Sequence, residues 1–66
     1  MKLTVNGELR EMDGPLTVLG LIESLRLKPG KIAVERNLEI VPRSAYGEVA
    51  LGDGDRIEIV NFVGGG

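Results

Sequence analysis

The sequence predicts an α+β domain in which a mixed sheet packs on one helix, in the order ββαβββ, and three observations carry that reading. Apolar residues alternate with polar ones at period two over Lys2–Val5 and again over Arg56–Ile59, as half-buried strands require. Between them, Val18, Leu21, Ile22 and Leu25 fall at i, i+3, i+4 and i+7, the signature of one helical face. Turn dipeptides separate these runs at Asn6-Gly7, Pro29-Gly30 and Asp53-Gly54. Strands on both sides of a single helix in a chain of 66 residues bury their apolar faces by wrapping a sheet across that helix.

The first strand, Lys2 to Val5, meets Asn6-Gly7, the dipeptide best suited to a two-residue hairpin turn. The returning strand, Glu8 to Met12, is patterned less well. With a two-residue loop Leu3 and Val5 share a face with Met12 while Leu9 points away, and a longer loop or a bulge would repair the mismatch. Asp13-Gly14-Pro15 breaks the chain before the helix. Thr17 is placed to cap the first free amides, and Leu16 to pack on Leu21 as a staple. Gly20 costs this helix about 1 kcal/mol of propensity, either because something packs closely there or because it is simply tolerated. After Pro29-Gly30, Lys31 to Arg36 reads as a strand with Ile32 and Val34 inward. Asn37 turns the chain into Glu39-Ile40-Val41, and Pro42 ends that strand in the manner of a sheet edge. Ser44 to Glu48 reads as irregular, with Tyr46 capping the core edge. The last strand, Arg56 to Phe62, runs directly into the glycines. Making the first and last strands central neighbours would give the ubiquitin-like β-grasp arrangement, but periodicity does not set strand order.

Composition narrows the chemistry. A domain this small buries only about 60% of the surface of its unfolded chain, which argues against a deep catalytic pocket. Ten acidic residues against eight basic ones give a net charge of −2, unlike a nucleic-acid binder. No apolar run reaches the length of a bilayer span, and Met1 to Val5 lacks the pattern of a signal peptide, so no membrane partner is expected and the cytoplasm is the default compartment. The chain contains no cysteine and no histidine. That removes disulfides, thiolate nucleophiles and the common zinc ligands, and it leaves Ser24 and Ser44 without a base. No catalytic residue and no metal site is expected.

The remaining feature is Gly64-Gly65-Gly66. Chain ends are often glycine-rich because nothing holds them. Here, however, the glycines follow an apolar strand with no polar spacer and are the last residues of the sequence. The expected organisation is a domain over 1–63 followed by a flexible glycine tail over 64–66. Glycine has no side chain to meet the walls of a narrow site, and three residues reach about 10 Å. Gly64 and Gly65 would thread into a partner's active site and deliver the Gly66 carboxylate. A carboxylate is a poor electrophile, so a partner must activate it; an acyl-adenylate made with ATP supplies the leaving group for a sulfur nucleophile. On the strand before the tail, Val60 and Phe62 are candidate docking residues if they lie with Glu58 on the face away from the helix. A bulge or the end of the sheet would instead turn Phe62 back into the core. Glu48, Asp53, Asp55 and Glu58 gather near this strand, as a solvated face or as a surface that steers a basic partner.

Several segments together resemble the ThiS family, the sulfur carriers of thiamine thiazole biosynthesis. They are Val5-Asn6-Gly7, Ala33-Val34-Glu35-Arg36-Asn37, Val41-Pro42-Arg43, Gly52-Asp53-Gly54-Asp55-Arg56-Ile57-Glu58-Ile59 and the closing glycines. The resemblance covers essentially the whole chain and implies a β-grasp fold. It also implies a cycle in which an adenylyltransferase of the ubiquitin-activating type consumes ATP to activate Gly66, with no cofactor bound by the carrier. Sulfur from cysteine, passed by a donor such as a cysteine desulfurase, then makes a C-terminal thiocarboxylate. Thiazole synthase takes that sulfur, so the carrier is a protein cosubstrate and not an enzyme. The family pattern needs Gly65 and Gly66, with Gly64 a looser feature. Gly20 departs from the pattern, since a larger helix residue is expected there.

Two other readings share these features. The small subunit of molybdopterin synthase resembles this fold and also carries a thiocarboxylate on Gly-Gly, in chains that are usually longer. A ubiquitin-like protein modifier would join Gly66 to lysines of target proteins.

Overall fold

The opening hairpin sets the register of the sheet. In the structure, a computed structural model that describes residues 1–62, β1 (Lys2–Val5) pairs antiparallel with β2 (Glu8–Glu11) through Val5↔Glu8 and Lys2↔Glu11. The loop is Asn6-Gly7 alone, with φ of 50° and 82°, the positive values a type I′ turn demands. No bulge or longer loop repairs the pattern. Leu9 lies opposite Thr4 and stays 68% exposed, while Met12 packs on the core beside the buried Leu3 and Val5. The sheet tolerates this because β2 is an edge strand with no buried residue.

The helix α1 (Val18–Ser24) buries Val18, Leu21 and Ile22, the face expected from their spacing. Thr17 Oγ1 accepts from Gly20 N–H at 3.1 Å and caps it as predicted. The other free donors of its first turn are satisfied from a distant part of the chain. Val18 N–H donates to Val49 O at 3.0 Å and Leu19 N–H to Tyr46 O at 2.8 Å. Those bonds explain how the connection from Pro42 to Asp55 is held. It contains only a single 3₁₀ turn at Arg43–Ala45, yet it straps the helix N-terminus and seats Tyr46, 3% exposed, inside the core. At Gly20, an added Cβ would lie 2.9 Å from Leu16 Cδ1, so a neighbour does pack closely there.

A 3₁₀ turn at Pro29–Lys31 leads into β3 (Ile32–Arg36), which begins one residue later than the sequence pattern suggests. Asn37 and Leu38, with φ of 50° and 70°, turn it into β4 (Glu39–Val41). β5 (Arg56–Asn61) then inserts between β1, in parallel, and β3, antiparallel, to give the order β2-β1-β5-β3-β4. The first and last strands are thus central neighbours and the fold is a β-grasp. Ile32, Val34, Ile57 and Ile59 point from the sheet toward the helix and are buried.

Candidate functional site

The glycines that the sequence singles out, Gly64, Gly65 and Gly66, lie outside the described residues, and with them the boundary expected after residue 63. The structure does describe the strand that leads to them. Along β5, Ile57 and Ile59 face the helix, whereas Glu58 and Val60 face outward, Val60 with 59% exposure. Phe62 is 55% exposed and its N–H donates to Lys31 O at 2.8 Å. Pairing with the β3 side therefore continues one residue past β5, and Phe62 does not turn back into the core. Of the two placements open from sequence, the exposed one is found.

Val60 has neighbours that the sequence reading did not assemble. Val60 lies opposite Ala33, and Glu35 lies opposite both Glu58 and, on its other side, Ile40. With Leu38 in the turn, these residues line a shallow hollow of about 430 Å³. Leu38 and Ile40 are 89% and 76% exposed, so this outer face is apolar with two carboxylates directly opposite each other. Such a surface suits a partner that brings apolar side chains and a cationic group. A signal for Ile40 was present: in the three-residue strand Glu39-Ile40-Val41, two adjacent apolar residues cannot both face the core.

The acidic grouping is divided by the fold. Asp55 is turned inward, where its carboxylate accepts from Arg36 Nε at 2.9 Å, Asn37 Nδ2 at 3.1 Å and Gly52 N–H at 2.8 Å. Burial pushes the Asp55 carboxyl up, but the bonds from Gly52, Asn37 and Arg36, with the Arg36 charge, outweigh it and hold the group below its ordinary value. Asp53 Oδ1 accepts from Lys2 N–H at 2.6 Å. Glu48 lies in the connection that covers the helix N-terminus. Only Glu58 of the four belongs to the outer face, and Glu35 joins it there. Among the described residues, no group of three or more His, Asp, Glu or Cys side chains is placed to hold a metal ion, and no helix is long and apolar enough to cross a membrane.

A mixed sheet wrapped on one helix, with parallel central strands and the C-terminal strand in the middle, defines a ubiquitin-like β-grasp domain. The ThiS family model matches residues 3–66, which include the glycines and Gly66 itself. The chain belongs to the ThiS family. It is 50% identical over 50 residues to the sulfur carrier protein ThiS of Bacillus subtilis, covering 76% of each chain. It superposes on the crystal structure of the thiamine biosynthesis protein ThiS from Geobacter metallireducens with a TM-score of 0.85 at 38% identity, covering 100% of both chains. It is also 54% identical over its full 66 residues to a thiazole synthase of Paramagnetospirillum magneticum, of which it spans only 20%.

Proposed function

We propose that this chain is a sulfur carrier in thiazole formation for thiamine biosynthesis. An adenylyltransferase of the ubiquitin-activating type joins AMP from ATP to the Gly66 carboxylate, releasing pyrophosphate. A persulfide from a donor such as a cysteine desulfurase displaces the AMP to give an acyl disulfide. A thiol then reduces its S–S bond by two electrons to leave a thiocarboxylate, and thiazole synthase consumes that sulfur. Gly64 and Gly65 pass through the partner's channel as bare backbone, while Val60 and Phe62 dock outside it. The carrier contributes the Gly66 carboxylate that is activated and a docking surface, and the groups that activate it and supply the sulfur belong to partners.

The observation that carries this reading is the family match, which extends through the glycines to residue 66. Further support comes from relatives named thiazole synthase, in which a domain like this one makes up 20% of the protein. The test is intact and fragment mass spectrometry after incubation with ATP, a sulfur source and the adenylyltransferase, beside a Gly66 deletion. Fragments are needed because sulfoxide formation on Met1 or Met12 adds nearly the mass of an oxygen-to-sulfur exchange. An ATP-dependent increment on the C-terminal peptide, absent from the deletion, is expected. No increment with the thiamine-type enzyme overturns the reading, and isopeptide-linked conjugates in its place would identify a modifier.

A further inference from the structure

β5 is held unequally on its two sides. Toward β3, pairing runs from Arg36↔Ile57 to Ile32↔Asn61 and continues at Phe62 N–H, which donates to Lys31 O. Toward β1, strand pairing covers only Thr4↔Arg56 and Val5↔Ile57, because the chain reverses at Asn6-Gly7. Beyond that point, among the described residues, the β1 side of β5 has no strand to meet.

The side chain of Asn6 takes the place of one. Its Oδ1 accepts from Ile59 N–H at 2.7 Å and its Nδ2 donates to Ile59 O at 3.2 Å, while its own backbone N–H donates to Ile57 O at 2.8 Å. A carboxamide presents a donor and an acceptor side by side, as a peptide group does, so one side chain extends the ladder by a residue. The turn alone does not demand this. Gly, Asp and Asn all adopt the φ of 50° found here, but only Asn makes both bonds to Ile59.

We propose that Asn6 is a positioning residue for delivery of the C-terminal segment: β3 holds one side of the second half of β5, and the Asn6 amide secures the other side at Ile59, which narrows the direction in which β5 points toward the C-terminus. The inference rests on the carrier reading above. Docking through the outer face and entry of the terminus into the partner's site must happen at once, and β5 is the joint between them. With the β1 side released at Ile59, β3 still holds the strand and the outer face still docks, but β5 pivots on its one-sided pairing, the terminus arrives in more orientations and the productive fraction falls.

The experiment compares the wild-type protein with Asn6→Gly and Asn6→Asp as substrates of the adenylyltransferase. Asn6→Gly keeps the positive-φ turn and loses both bonds, while Asn6→Asp keeps the acceptor for Ile59 N–H and loses the donor. For Asn6→Gly, kcat is expected to fall about tenfold with KM within about twofold of wild type, because orientation is lost while docking is kept. The Ile59 amide should exchange rapidly while those of Val34 and Ile22 stay protected, and Asn6→Asp should recover part of kcat. Unchanged kcat in Asn6→Gly overturns the proposal and leaves the carrier reading standing. A fall accompanied by lost protection at Val34 and Ile22 overturns it too, since the role is then stability of the whole fold. A wild-type protein that is never adenylated removes the carrier reading and this inference with it.

Discussion

Asp55 shows how a single residue changes meaning between sequence and structure. In the run Gly52-Asp53-Gly54-Asp55 it looks like one more solvent-facing acid in a turn, yet its carboxylate joins the start of β5 to Arg36 and Asn37 at the far end of β3. Because the folded group titrates below its ordinary value, its contribution is complete above the unfolded carboxylate range and is lost as pH falls through the folded pKa. Urea denaturation of wild type and Asp55→Asn should therefore differ by about 2 kcal/mol at pH 7 and converge in strong acid, as hydrogen bonds to a charged group predict. Equal stability at pH 7 would show that the network adds nothing. At Gly65 the expectation concerns transfer, not folding. Gly65→Val should leave the Tm unchanged and abolish charging of Gly66, since a β-branched side chain does not enter a channel made for bare backbone. Charging at the normal rate would refute threading.

Among the elements, the helix was the most readable. Its buried face and its cap at Thr17 follow from residues within one or two turns of each other, but its end does not. The helix stops at Ser24, with Leu25 as its cap and Arg26 at a φ of 60°, well before the Pro29-Gly30 stop that the sequence offers. Gly20 is the instructive exception. The helical pattern shows its cost but not its neighbour, which proves to be a methyl group of Leu16. That methyl is the far end of a flexible side chain and can move aside. Gly20→Ala should accordingly raise the Tm, with a gain below the full ~1 kcal/mol of propensity because Leu16 must shift. A lower Tm by thermal unfolding would mean that Leu16 is locked by its own packing. The strands were readable in number and approximate extent, but β2 and β4 each carry an apolar residue, Leu9 and Ile40, whose exposure depends on register.

At the scale of the whole molecule, sheet order decides what faces a partner. Placing β5 between β1 and β3 gathers Ala33, Glu35, Ile40, Glu58 and Val60 from three neighbouring strands, with Leu38 from the β3–β4 turn, onto one surface. The surface is outside the core, so altering it separates binding from stability. Val60→Asp should leave the Tm within a few degrees of wild type and weaken binding to the adenylyltransferase at least tenfold, about 1.4 kcal/mol, as loss of a central apolar contact does. Titration calorimetry on the pair is the check, and undiminished affinity would move the docking site elsewhere. Sequence named Val60 and Phe62 from the alternation of a single strand. It did not name Leu38 or Ile40, because they belong to that surface only through the pairing of β5 with β3 and of β3 with β4.

Period and turn chemistry act over a few residues, and whatever depends on them could be read before folding: the ββαβββ order, the Asn6-Gly7 hairpin, the buried face of the helix and the glycine run itself. The tertiary structure alone decided the parallel pairing of β1 with β5, the inward turn of Asp55, the strap over the helix N-terminus and the contact of Asn6 with Ile59. That last pair is separated by 53 positions in the chain. No local pattern encodes such a meeting, because it exists only once burial of the helix against one face of the sheet has closed the intervening chain.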